Sequence, residues 1–253
     1  MKIIISPAKK MRREEYVAPL HRPMFLKEAG ELLSFLRSLS DSEMAKVWKV
    51  KGALLSSSLS SLSMLSLEDI GSPAIFSYDG IQYTYMSPSS FTDSMLEYAE
   101  KNLRIISGLY GLLRPLDGVG TYRLEMESPI SIPGYGDLYS YWGGKIASSL
   151  MEDDRLLVNL ASAEYSKAVL PYLPSTVTVV TPVFLDWEKG RYVSKGVYAK
   201  MERGEMVRFL AETGAETVED IMKFSSRGYE FSRFLSDSNT LCFVRKDEEK
   251  GCR

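Results

Sequence analysis

A basic run, Lys9-Lys10-Met11-Arg12-Arg13, follows the apolar segment Ile3-Ile4-Ile5 after Ser6-Pro7-Ala8. Cations held at the end of a buried strand can be aimed at a ligand, and Lys and Arg form charge-assisted hydrogen bonds with phosphate. A second dense stretch runs from Leu103 to Asp117. It carries Arg104 at its entrance, turns through Gly108 and Gly111, and ends in Arg114-Pro115-Leu116-Asp117. Tyr122, Arg123, Glu125, Asp137, Tyr139 and Trp142 follow closely. Other predicted strand ends carry Asn159, Ser162, Glu164 and Asp186. If these ends converge, they form a cleft of mixed charge that suits a phosphate-bearing ligand, with glycine letting backbone approach. On the competing reading the basic run is a solvated charge run, and Arg114, Asp117, Arg123 and Glu125 are buried ion pairs that hold irregular segments.

The residue inventory removes much other chemistry. His21 is the single histidine, and there are two cysteines, Cys242 and Cys252. A Ser-His-Asp or Cys-His enzyme would have to use that one histidine, and zinc sites built on several His or Cys ligands are excluded. A carboxylate site for Mg²⁺ or iron stays open, though no ligand spacing demands one, and no cofactor motif is present: there is neither a Walker loop nor a Gly-x-Gly-x-x-Gly. An enzymatic alternative remains, in which Lys9 is an amine nucleophile and Glu125 or Glu164 carries protons, acting on a nucleotide or a nucleic-acid base. Gly108-Leu109-Tyr110-Gly111 also fits the turn of a helix-hairpin-helix element, which offers backbone N–H groups to a DNA phosphate. The helix-Gly-helix pattern from Glu202 to Phe224 is a second such candidate, although Glu212 and Glu216 flank its Gly214 and would repel phosphate.

The elements that must position these groups follow from pattern. The chain has 253 residues, 45% hydrophobic and 25% charged, with a formal net charge of -2. That is enough for a sizeable core, and too little positive charge to coat nucleic acid indiscriminately, while a local basic groove stays open. The cysteine usage fits a reducing cytoplasm, and no apolar run is long enough for a membrane span. Strands are predicted at Lys2 to Ser6, Ala74 to Tyr78, the start of the Leu103 stretch, Arg155 to Leu160, Thr176 to Phe184, Arg191 to Ala199 and Leu241 to Arg245. Helices are predicted at Pro23 to Leu39, at a capping box formed by Ser40 and Glu43, at Ser56 to Leu67, and at Phe91 to Asn102 with Ser90 as its cap. Further helices are predicted at Asp137 to Leu150, Glu202 to Glu212 and Thr217 to Phe224. The interleaving gives one mixed α/β domain over residues 1–246, a mixed sheet flanked by helices, with a charged tail at 247–253.

The residues also resemble the YaaA peroxide-stress family, over nearly the whole chain. The resemblance is carried by Ile5-Ser6-Pro7-Ala8-Lys9, by Ser107 to Asp117, by Tyr122-Arg123-Leu124-Glu125-Met126 and by Asp137-Leu138-Tyr139 with Trp142-Gly143. Asn159-Leu160-Ala161-Ser162, Glu164-Tyr165, Pro182-Val183-Phe184, Tyr198-Ala199-Lys200 and Arg203-Gly204 continue it. The chain departs from the family pattern at Lys10, where Thr is usual, and at Glu127, where Gly is usual. The resemblance implies a cytosolic protein of hydrogen-peroxide resistance that limits free iron and oxidative DNA damage. It further implies a compact α/β fold with a helix-hairpin-helix element and a basic cleft that binds duplex or distorted DNA. The expected cationic wall is Lys9, Lys10, Arg104, Arg114 and Arg123, with Gly108 and Gly111 offering backbone and Arg203 as an addition. A nucleotide-like ligand and a scaffold role toward a protein partner are the other expectations.

Overall fold

In the computed structural model, which describes residues 1–14, 16–69, 71–151 and 154–245, a mixed sheet forms the centre of one α/β domain. The predicted tail at 247–253 lies outside the described residues. Across the sheet the strands are Ser225–Ser226, Tyr229–Phe231, Thr240–Arg245, Thr178–Glu188, Leu156–Leu160, Lys2–Ile5, Leu103–Ser107 and Gly111–Leu113. Arg191–Val193 pairs with Thr178–Glu188 as a hairpin. The five strands from Thr240–Arg245 to Leu103–Ser107 are parallel.

Lys2–Ile5 lies inside the sheet, between Leu156–Leu160 and Leu103–Ser107, and its sequence suits that place. Ile3, Ile4 and Ile5 are all fully buried, so both faces of the strand are covered, as a parallel strand between helices requires. The chain passes first to one side of this strand, at Leu103–Ser107, and later to the other, at Leu156–Leu160. The carboxyl ends of Lys2–Ile5 and Leu156–Leu160 therefore flank a topological switch point, where loops diverge and leave a crevice. Ser6 and Ser162 stand there: the Ser162 amide donates to Ser6 Oγ at 2.8 Å.

Helices cover the sheet as their spacing predicts. Leu26–Ser38 buries Ala29, Leu32, Leu33 and Leu36 on one face, each leucine contributing about 1.5–3 kcal/mol relative to exposure. The Ser40 and Glu43 capping box starts Asp41–Trp48, which closes at Lys49 in the left-handed region. The serine-rich segment is a helix, Ala53–Met64. Asp93–Asn102 is capped by Thr92, not Ser90. The predicted helix from Asp137 to Leu150 is two, Leu138–Trp142 and Lys145–Leu150, parted by Gly143 at φ +47°.

Three expectations change. Ala74 to Tyr78 is not a strand: Ala74–Ser77 is a helical turn, because the Ala74 and Ile75 amides donate to Asp117 and Pro115 carbonyls at 2.9 Å. Arg191 to Ala199 is strand only to Val193, and a long helix, Gly196–Thr213, begins within it. The glycine turn Gly108 to Gly111 joins two antiparallel strands, Leu103–Ser107 and Gly111–Leu113, and not two helices. The Gly196–Thr213 helix does end at Gly214, φ +62°, ahead of the Thr217-capped helix Val218–Met222.

Candidate functional site

The basic run is pinned along its length. Lys9 leaves the first strand through Ser6-Pro7-Ala8. Lys10–Met11 pairs with Tyr78–Asp79, Lys10 Nζ meets Asp79 at 2.6 Å, and the Arg12 amide donates to the Ser77 carbonyl at 2.8 Å. Arg123 arrives from the far side of the sheet turn. The Tyr122 amide donates to Met11 Sδ at 3.5 Å, and Trp48 Nε1 donates to the Arg123 carbonyl. Gly108 makes this approach feasible, since a Cβ there would sit 2.4 Å from the Leu124 carbonyl oxygen.

Glu125 gathers two of the cations. Lys9 Nζ and Arg123 Nε both lie 3.6 Å from its Oε1. Neither distance makes a hydrogen bond, and Glu125 Oε1 and Arg123 Nε are buried with no hydrogen-bond partner. The two cations share this one carboxylate as ion pairs. Glu164 stands nearby and accepts from the Glu127 amide at 3.2 Å. Burial pushes the Glu164 carboxyl up, repulsion from Glu127 and Glu125 adds to this, and the Glu127 amide and Lys9 partly offset it. Tyr139 donates to the Glu164 carbonyl at 2.8 Å and ties Leu138–Trp142 to this edge.

Beneath the cations lies a buried hydroxyl chain. Tyr122 Oη is 2.6 Å from Ser107 Oγ and 2.8 Å from Tyr78 Oη, and desolvation pushes the Tyr122 phenol up to about 12. Tyr78 and Tyr83 belong to this core, while Tyr85 is stacked under the Arg227 guanidinium at 4.2 Å.

Two adjoining hollows open on this surface. One, of about 420 Å³, is lined by Lys9, Lys10, Met11 and Arg123 on one wall and by Leu54, Ser57, Ser58 and Ser61 of the serine-rich helix on the other. The next, of about 260 Å³, adds Arg12 and Arg13. Both hollows are lined by Ser61 and Thr121, so together they form one groove between the basic run and the helix Ala53–Met64. Arg12 and Arg13 were legible as part of a basic run but not as part of the wall. The pairing of Lys10–Met11 with Tyr78–Asp79 decides which way they face.

The other predicted cations are elsewhere. Gly111–Leu113 returns antiparallel, so Arg114 comes back beside Arg104 at the amino end of the parallel strands. The two line a separate hollow of about 190 Å³ with Lys2, Asp117 and Asp154. Arg114 is 3.0 Å from the buried Asp117, whose carboxyl is pushed up by burial and partly drawn back by Arg114. Arg104 donates to the carbonyls of Glu100 and Leu103. Gly108 and Gly111 are buried: the Gly108 carbonyl accepts from Trp142 Nε1 at 3.0 Å, and Gly111, φ +70°, lies against the Trp142 ring. Arg203 lines neither hollow of the groove, and its guanidinium is held below the usual arginine range by burial.

Lys9, Glu125 and Glu164 do meet, yet Lys9 is 69% exposed, unlike the desolvated setting in which lysine amines become nucleophiles. Among the described residues, no three His, Cys, Asp or Glu side chains gather as a metal-ligand group, and no helix is long and apolar enough to cross a membrane.

Comparison with known proteins matches residues 1–234 to the family model described as Peroxide stress protein YaaA. A UPF0246 protein of Desulfitobacterium hafniense is 43% identical over 99% of this chain and 100% of its own length. A UPF0246 protein of Agathobacter rectalis is 40% identical over 97% of this chain and 99% of its own, and one of Lacticaseibacillus casei is 41% identical over 97% and 100%.

Proposed function

This chain belongs to the peroxide stress protein YaaA family, and from that premise we propose that it binds DNA through the groove between its basic run and its serine-rich helix. One observation carries the reading: Lys9, Lys10, Arg12, Arg13 and Arg123 line a single continuous groove on a chain whose net charge is -2. Concentrating cations on one face of a near-neutral protein makes a local field that attracts a polyanion without coating it indiscriminately. The opposite wall does not oppose the same ligand, because Ala53–Met64 carries no carboxylate to repel phosphate. Glu125 aims Lys9 and Arg123, and Asp79 fixes Lys10.

On this reading the protein's part in peroxide defence, including the expected limits on free iron and DNA damage, is exercised at DNA. The cations of Arg104 and Arg114 serve the opposite end of the sheet as structural charges. A labelled 20-base-pair duplex, titrated at low salt, tests the assignment. The folded double variant Arg12→Ala/Arg13→Ala is expected to lose at least tenfold in affinity, with a stability loss of about 1 kcal/mol from the Arg12 Nε bond to the Phe76 carbonyl. Equal affinity of the double variant and the parent would remove the groove as the DNA surface.

A further inference from the structure

We propose that the larger hollow of the groove is a pocket for a single nucleotide unit, with phosphate on Lys9, Lys10 and Arg123 and the base against the serine-rich helix. The proposal rests on the groove being a nucleic-acid surface and adds what that surface reads.

The hollow is amphipathic in a way a plain phosphate track is not. Its lining joins these cations to the apolar and aromatic side chains of Met11, Leu54, Leu62 and Tyr122. A backbone-only track needs charge and hydroxyls, but no apolar depth. At about 420 Å³ the hollow falls in the range of small-molecule sites, roughly 300–1,000 Å³. Flat bases gain from aromatic and apolar contact whatever their sequence.

The hydroxyls on the wall have a defined polarity. Ser57 Oγ donates to the Leu54 carbonyl at 3.1 Å, and Ser61 Oγ donates to the Ser57 carbonyl at 3.0 Å. Their protons are spent on the helix, so they present lone pairs to the hollow. Lone pairs on that wall suit the exocyclic amino group of a base edge. At the other end Arg123 lines the hollow, and its Nε is turned to Glu125 at 3.6 Å. The terminal nitrogens of the guanidinium are the donors it offers to a phosphate or sugar oxygen of the same unit.

One chemistry has two sources: a free nucleoside monophosphate, or a nucleotide turned out of a DNA strand. Calorimetric titration of the full chain with dAMP, deoxyadenosine and inorganic phosphate addresses the shared chemistry. The expected result is saturable one-to-one binding of dAMP, at least tenfold tighter than either fragment. Ser58→Phe, which fills the hollow and leaves every cation in place, should weaken dAMP binding tenfold or more. Ser57→Trp, from an exposed position on the same helix, is the second plug if the first variant does not fold.

A duplex with one unpaired adenine against its fully paired counterpart separates the sources. Tighter binding of the unpaired duplex, lost in the plugged variants, assigns the pocket to an extruded nucleotide. A dAMP effect without that difference assigns it to the free nucleotide. If dAMP binds no better than phosphate, or if both plugged variants that fold bind dAMP as the parent does, the pocket is overturned. That outcome leaves the DNA groove standing, provided Arg12→Ala/Arg13→Ala still loses duplex affinity. Saturable dAMP binding by a chain that binds no duplex would sink the groove and leave the pocket.

Discussion

At the scale of single residues, partner and burial decide what each charge does, not charge type alone. Arg123 and Arg114 are both arginines near a carboxylate, and both were candidates for one wall. Arg114 donates to Asp117 through Nε at 3.0 Å, and its amide donates to the same carboxylate at 2.8 Å. Arg114→Ala would leave the buried Asp117 charge with one partner fewer. Because the arginine itself is 36% exposed, the loss should be about 2–3 kcal/mol, below the cost of breaking a fully buried pair. Urea unfolding measures it. Gly111→Ala is expected to cost about 2 kcal/mol or more, since the residue sits at φ +70° and a Cβ would lie 2.6 Å from the Trp142 ring. Folded Gly111→Ala protein should bind DNA as the parent does. A selective loss of DNA affinity without loss of stability would return this glycine to the phosphate surface.

At the scale of elements, much was legible in the sequence where the determining interactions are local. Ser40 and Glu43 make their capping box within four residues, and the Ile3-Ile4-Ile5 strand is fixed by its own apolarity. The Ala74–Ser77 turn was not legible, because its amides are satisfied by carbonyls of Pro115 and Asp117, beyond any local window. The small hairpin of Ser225–Ser226 and Tyr229–Phe231 was missed in the same way. It is held from outside, by Arg227 against Glu202 of the long helix at 3.3 Å. Glu202 is fully buried, and its carboxyl is pushed up to about 7 by desolvation, with Ser226 and Arg227 offsetting only part. A carboxyl raised above its ordinary 4.5 contributes stability that is complete below that value and lost as pH rises through about 7. The chain should therefore lose up to about 3 kcal/mol between pH 5 and pH 8 through this group. Glu202→Gln should flatten that fall, and denaturant melts across this range check it. An equally steep fall in the variant would place the titration elsewhere.

At the scale of the whole molecule, topology sorts the predicted cations into two ends of one sheet. The first strand delivers Lys9 to the carboxyl edge beside the switch point, and Arg123 is brought to it by contacts with Met11 and Trp48. The return strand carries Arg114 back to the amino edge beside Arg104. Sequence shows which residues carry charge, and the family pattern shows which recur together. Neither shows that a three-residue return strand sends one arginine to the opposite end. The helix Ala53–Met64 was readable as a helix from its leucine spacing, but its place as the second wall depends on long-range packing. The most direct test of the account is the salt dependence of duplex DNA affinity for the parent, Arg123→Ala and Arg114→Ala. Arg123→Ala should lower the slope of log affinity against log salt by about 1, the loss of one phosphate contact. Folded Arg114→Ala should keep the parent slope. A slope near zero in the parent, or a slope lowered by Arg114→Ala and not by Arg123→Ala, would contradict it.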